Sequence, residues 1–258
     1  MFTKTHLLLP ALMLGAAALF GGCSEETTNP TSLAKTVYGD TATIGSGRAV
    51  SWIKLDDAGK PTSLGVTIDS AGLAALPTAM TAYALALPAE ASTTGYDHIS
   101  LDWNPEGHEP ANIYTLPHFD SHFYMISEAE RNGIVPTDTA KANATPGTDY
   151  VPAGFTRAPG PIQIVPAMGE HWLDLSSGEF HGSTFDHTMI FGYWNGSMVF
   201  VEPMFTMDYL KTKPSLSLAL PQPTKYPKTG RYYGTLYSIR HDAATNTWSV
   251  SLDGLTMK

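Results

Sequence analysis

Asn195-Gly196 separates two apolar runs, one from His187 to Trp194 and one from Ser197 to Glu202. An Asn-Gly pair accepts the positive φ that a two-residue hairpin turn requires. The runs therefore predict two antiparallel strands joined by a tight turn. Both arms are apolar on both faces, which predicts strands inside a sheet and covered from each side. Glu202 ends the second arm, and a carboxylate ending a buried strand needs a partner. A metal ion or His171 would serve; a strand end reaching water is the plainer alternative.

The rest of the chain carries the same period. Val37 to Ile44, Arg48 to Leu55, Ser63 to Ile68, Tyr83 to Leu87 and His98 to Trp103 read as strands between turn-forming Gly, Pro and Asp residues. Ser70 to Leu76 reads as a short helix stopped by Pro77. Ser127-Glu-Ala-Glu130 is a capping box that opens a short helix running to about Gly133. Thr137 to Gly160 reads as a long surface loop with one helical turn, and Phe205 to Leu210 as another helical turn. Ser215 to Leu220, Gly230 to Arg240 and Thr247 to Leu252 complete the strands. The prediction is an all-β single domain, a sandwich or a jelly-roll or cupin-like barrel with a few short helices.

Chemistry concentrates between Gly107 and Met125. The chain has nine histidines, and His108, His118 and His122 fall in this one span with Glu109 and Asp120. Imidazole and carboxylate together suit a borderline divalent metal. As a strand, Pro117 to Ile126 puts His118, Asp120, His122 and Tyr124 on one face and Phe119, Ser121, Phe123 and Met125 on the other. Residues two apart then stand about 7 Å apart and can share a metal; residues four apart stand about 13 Å apart and cannot without a bulge. As a helix starting at Pro117, His118 and His122 would lie one turn apart and chelate directly. The aromatic alternation favours the strand. Histidine and aspartate on a polar strand face are also commonly just solvated or bonded to each other.

Val165 to Asp174 adds one more imidazole. His171 follows a glycine turn and shares a strand face with Leu173, while Trp172 faces the other way. The candidate ligands are thus His118, His122 and His171, with Asp120 or Glu202 as the carboxylate. His108 and Glu109 are further ligands or groups that orient one. The metal is a divalent transition ion; zinc, iron and copper are not distinguished. His98, His181 and His187 are read as ordinary strand or loop residues.

Composition excludes some partners. The net charge is −9 and no basic stripe exists to neutralise phosphates, which argues against nucleic acid. It argues equally against adhesion to an anionic membrane by charge. The single cysteine, Cys23, follows Lys4, an apolar run from Leu7 to Phe20, and Gly21-Gly22. This resembles a bacterial lipoprotein signal, although Phe20 stands where leucine is usual. The expectation is a leader over 1–22, a lipid on Cys23, a polar tether over 23–36 and a domain over 37–258. That puts the protein in the cell envelope, periplasmic or on the outer surface, with the lipid as its only membrane contact. A small molecule, a protein partner or a second copy of the chain remain open as partners.

The Gly-His-Glu-Pro, Pro-His-Phe-Asp-Ser-His-Phe-Tyr and Met-Gly-Glu-His-Trp motifs, with the hairpin closing in Glu-Pro-Met, carry a resemblance over about Val37 to Leu255. They resemble a family of exported bacterial domains of unassigned function, one member of which belongs to a thermophile's extracytoplasmic stress-sigma-factor regulon. That resemblance implies no activity. The order of His118, His122 and the Gly-x-His at His171 is also similar to cupins, which implies a β-barrel with a three-histidine, one-carboxylate metal site. The spacing departs from cupins, because His-x-x-x-His stands in place of His-x-His. Three functions follow as alternatives: an envelope lipoprotein with a metal site, its catalytic role open; a non-catalytic ligand- or protein-binding module with structural histidines; or a metal-free hydrolase using His122 with Asp120 as a base.

Overall fold

A computed structural model describes residues 1–2, 34–158 and 163–258. Cys23, the expected leader and most of the tether lie outside the described residues.

The strands, in chain order, are β1 (Lys35–Ile44), β2 (Gly47–Leu55), β3 (Pro61–Asp69), β4 (Thr81–Ala86), β5 (His98–Asn104) and β6 (His118–Tyr124). They continue with β7 (Phe155–Arg157), β8 (Glu170–Asp174), β9 (His187–Trp194), β10 (Ser197–Thr206) and β11 (Ser215–Ala219). The last four are β12 (Tyr232–Tyr233), β13 (Leu236–Asp242), β14 (Thr247–Asp253) and β15 (Thr256–Met257). One sheet has the order β1-β2-β3-β14-β13-β11, the other β4-β5-β6-β10-β9-β8-β7, and β12 pairs with β15 alone. The two large sheets are antiparallel and pack as a sandwich. Neither closes into a barrel: β1 and β11 remain edges of one sheet, and β4 and the three-residue β7 edges of the other. The cupin-like barrel is therefore not the architecture.

Alternation builds the sandwich. Ile99, Leu101, Phe119, Phe123, Phe191, Val201 and Phe205 from the seven-stranded sheet share one apolar cluster with Ile53, Leu64, Val66, Ile239, Val250 and Leu252 from the six-stranded sheet. The β9–β10 hairpin turns through Asn195 at φ 52° and Gly196 at φ 71°. Both its strands lie inside the sheet, β10 at its centre.

Some elements differ from the sequence reading. β10 runs on to Thr206, so Glu202 is mid-strand and not at a strand end. Pro203 interrupts the ladder to β6 only between Val201↔Phe123 and Met204↔Asp120, where it has no N–H to give. Residues 70–76 form turns, not a helix, because the Asp69 carboxylate captures the Gly72 N–H at 2.7 Å and Ala75 takes a positive φ. The 137–160 segment holds a helical turn, α2 (Thr139–Ala142), and β7. The capping box opens α1 (Glu128–Asn132), and the Thr206 hydroxyl caps α3 (Met207–Lys211).

Candidate metal centre

The face of the seven-stranded sheet turned away from the core carries the polar groups. β5 contributes Ser100, Asp102 and Asn104, which lie opposite His122, Asp120 and His118 on β6. Continuing the β6–β10 register brings Glu202 opposite His122. β8 contributes His171 across β9. Loops roof this face, so the groups are buried: Asp102, Asp120, His118, His122 and Glu202 are all at most 4% exposed. Buried carboxylates and imidazoles are stable only when paired, protonated or bound to a cation.

Two groups of potential ligands form. In the first, His118 Nε2 stands 3.0 Å from Asp120 Oδ1 and His108 Nε2 3.2 Å from Asp120 Oδ2. Each imidazole places its Nδ1 2.6 Å from a backbone carbonyl, His118 on Leu116 and His108 on Glu109. A carbonyl only accepts, so both Nδ1 atoms donate. Neutral rings then present bare Nε2 lone pairs toward the Asp120 carboxylate, an arrangement that is repulsive until a proton or a cation enters. The Asn104 amide donates to Asp120 Oδ2 at 2.8 Å and orients it. His108 comes from the loop before β6, and its ring packs against His118 and Tyr114.

The second group joins three strands. His122 Nε2 lies 3.4 Å from Glu202 Oε1, and His171 Nε2 lies 3.7 Å from Glu202 Oε2. The other nitrogen of His122 faces Asp102 Oδ2 at 3.3 Å. Asp102 is held in turn by the Ser100 hydroxyl at 2.6 Å, which Arg131 of α1 approaches at 3.4 Å. Phe200 lies against both imidazoles. In each group the three ligand atoms lie within 4.8 Å of one another. Donors on one tetrahedral zinc stand about 3.4 Å apart for bonds near 2.1 Å. Either triad could therefore hold a metal ion.

Hydrogen bonds do not explain these contacts. His118 Nε2, Asp120 Oδ1, both nitrogens of His122, Asp102 Oδ2 and Glu202 Oε2 are buried without a hydrogen-bond partner. The pairs stand 3.0–3.7 Å apart without a hydrogen bond at these atoms, which leaves their lone pairs open to a common third atom.

Burial and neighbouring charge set the protonation states. Burial pushes the Asp102 carboxyl up to about 7, aided by the Asp120 charge and opposed by Ser100 and Arg131. Glu202 rises well above the carboxylate range through burial and the charges of Asp120 and Asp102. Burial pushes His122 down to about 4 and, with the His122 charge, His171 down to about 3. Asp120 goes the other way: burial acts upward, but the His108 and His118 rings outweigh it and lower it. Burial lowers His108, yet the Asp120 carboxylate outweighs that and raises it.

The structure does not bring His118, His122 and His171 to one point. Positions 118 and 122 lie four residues apart along the one strand β6, so they enter different triads, His118 with Asp120 and His122 with Glu202. His108 joins the first triad. The Glu109 carboxylate joins neither and lines the cavity above them. His122 is paired with Asp102, not with Asp120 as the metal-free base reading required. Sequence reading missed Ser100, Asp102, Asn104 and Arg131. The signal was the polar alternation of His98, Ser100, Asp102 and Asn104 between Ile99, Leu101 and Trp103. His98 itself stacks on Tyr124 with its Nδ1 2.9 Å from Asp97, outside both triads.

Both triads open into one cavity of about 680 Å³. Comparison with known proteins adds little chemistry. A family described as TTHB210-like, hypothetical protein TTHB210, matches residues 56–103, from just after β2 through most of β5. This stretch is similar to a family without an assigned function, and of the site it includes only Ser100 and Asp102. No curated protein and no solved structure matches the chain.

Proposed function

We propose that the protein is a cell-envelope metalloprotein, anchored by lipid on Cys23. Its two triads, His108/His118/Asp120 and His122/His171/Glu202, hold divalent transition-metal ions at the floor of a small-molecule pocket. One observation carries this reading: six buried polar atoms of the two triads and Asp102 have no hydrogen-bond partner. Leaving such atoms unpaired costs about 1–3 kcal/mol each, and one cation per triad removes most of that penalty. The groups behind the first triad fit as well, since the Leu116 and Glu109 carbonyls fix the His118 and His108 tautomers and the Asn104 amide orients Asp120. Three protein ligands leave a coordination position for water or a ligand oxygen, so a bound ion would supply Lewis-acid chemistry there.

One observation favours a metal-free alternative. His108 is raised and Asp120 lowered, so a proton on His108 satisfies part of the first triad. The protein would then be a binding module with structural histidines. Emission spectroscopy on protein purified without added metal separates the two. Up to one ion per triad is expected, with Asp120→Ala and Glu202→Ala each losing the ion of its own triad. Metal at background level, with no thermal stabilisation by zinc, iron or copper, overturns the metal reading.

A further inference from the structure

The cavity above the triads has two unlike ends. Its floor is the polar row just described. Its walls are apolar: Ile113 from the loop before β6, Met168 from the loop before β8, Leu173 and Ile190 from the strands, and Leu175 and Phe180 from the segment after β8. The change from one to the other is abrupt. Ile190 is the register partner of Glu202, and Leu173 is the partner of Ile190, so the apolar compartment begins one strand away from a ligand carboxylate.

Charge narrows the occupant further. Arg157 is the only arginine or lysine among the described lining residues, and its Nε faces Glu170. Polyphosphates and nucleotides need several cationic or backbone donors, and one arginine beside a carboxylate does not supply them. Two divalent ions and Arg157 balance the lining carboxylates of Asp102, Glu109, Asp120, Glu170 and Glu202. No surplus remains for a polyanion, and a headgroup of at most one negative charge, held by direct ligation to an ion, suits the floor. A cavity of about 680 Å³ is the size that encloses a drug-sized molecule.

We propose that the pocket takes a small amphiphile: a compact aromatic or branched apolar body in the Ile113/Phe180 compartment, carrying one monoanionic oxygen headgroup, of the carboxylate or hydroxamate type, on the triad metal. This specifies the ligand class of the site proposed above and rests on that reading. The apolar body supplies the discrimination, because each methylene or ring edge removed from water there adds affinity that the headgroup alone does not give.

The test uses the full chain loaded with zinc, after its metal content has been measured. Acetohydroxamate and 4-phenylbutanohydroxamate share a headgroup and differ in the apolar body. Titration calorimetry should show the phenyl compound binding at least about 10-fold tighter. Ile113→Ser and Phe180→Ser, both in half-buried loop segments, should erase most of that preference while leaving metal content and acetohydroxamate affinity unchanged. Equal affinity of the two probes for metal-loaded protein overturns the amphiphile proposal and leaves the metal reading standing. A preference that survives both serine variants also overturns it, because the body then lies elsewhere. A protein that takes up no metal overturns both. Should the serine variants fail to fold, the comparison of the two probes on the unaltered chain decides alone.

Discussion

The two sheets of the sandwich follow the same alternation but use their outward faces differently. On the six-stranded sheet the outward polar groups are short and satisfy one another. The Trp52 indole donates to the Thr67 hydroxyl at 2.9 Å, which lies 3.0 Å from the Ser249 hydroxyl, and Ser238 and Ser251 both donate to Asp253. On the seven-stranded sheet the outward groups are carboxylates and imidazoles under a roof of loops. Among the described residues, no buried side-chain N or O atom without a hydrogen-bond partner belongs to the six-stranded sheet, and those of Asp102, His118, Asp120, His122 and Glu202 lie on this face, although Ser121 Oγ on the core side is also unpartnered. A domain is stable by only about 5–15 kcal/mol, and orphans at about 1–3 kcal/mol each would consume most of it. The difference teaches that the second face is incomplete as a purely protein surface, whereas the first is complete.

Removing what completes that face should have the largest effect. With zinc at about 100 times its dissociation constant, binding at each of the two triads stabilises by about 2.7 kcal/mol. For a chain of this size each ion raises the melting temperature by roughly 5–10 °C. A chelator should abolish the increment in the unaltered protein. Asp120→Ala should lower it by removing a ligand, and Asn104→Ala should weaken metal binding about 10- to 100-fold by releasing the Asp120 carboxylate. Scanning calorimetry with and without chelator checks all three. A melting temperature indifferent to chelator would make protons, not metals, the partners of these atoms.

The next effect belongs to the metal-free protein and its pH dependence. Asp102 is raised from 3.8 to about 7, so the folded state holds a proton that the unfolded chain has lost. Its contribution is greatest below pH 4 and disappears as pH rises to about 7. His122 is lowered from 6.5 to about 4, so the folded state has shed a proton that the unfolded chain keeps. Its contribution grows as pH rises from about 4 to 6.5. The two touch, and over their shared window the slopes oppose each other, so denaturant melts between pH 4 and 6.5 should vary little from this pair. Asp102→Asn should unmask stability that rises with pH, on the order of 3 kcal/mol across the window. His122→Gln should unmask a fall of similar size. Slopes of the same sign in both variants would mean that the pair is not coupled as the geometry places it.

The part of this face that is local was readable in advance, and the part that is not local was hidden. Asn195-Gly196 specifies its own turn, Ser127 and Glu130 specify their own cap, and the period over 118–124 specifies which side chains share a side. Each signal sits within a few residues. Which residues lie across from that row depends on strand order, and sequence carries strand order only weakly. Asp102 therefore passed as an ordinary strand residue and Asn104 fell outside the strand read from sequence, although Asp102 faces His122 and Asn104 orients Asp120. β10 also continues through Pro203 to Thr206, although proline is rare inside a sheet, and so it carries Glu202 into mid-strand.

A smaller perturbation probes how the second triad is kept in register. Gly192 on β9 lies opposite both His171 and Phe200. A Cβ there would come 2.1 Å from the Phe200 ring, which touches His122 and His171. Gly192→Ala should therefore move the ring and both imidazoles. The expected loss is about 1–3 kcal/mol, as for other overpacked sites, read in urea melts, with metal loss confined to the His122/His171/Glu202 triad. Retention of that ion with full stability would show that Phe200 does not hold the imidazoles in place.

The smallest expected effect lies on the other sheet, and it makes the comparison a fair one. Ser249→Ala removes one hydroxyl from the Trp52–Thr67–Ser249 chain. The Thr67 oxygen keeps the indole as its donor, and its own proton can turn toward solvent at this half-buried site. No atom is stranded, so the change should stay within about 1 kcal/mol, the net worth of an ordinary hydrogen bond, and metal content should not move. A large loss here would show that outward polar groups are costly to disturb on either sheet. The unpartnered atoms beneath the loops would then lose their standing as a sign of a missing ion.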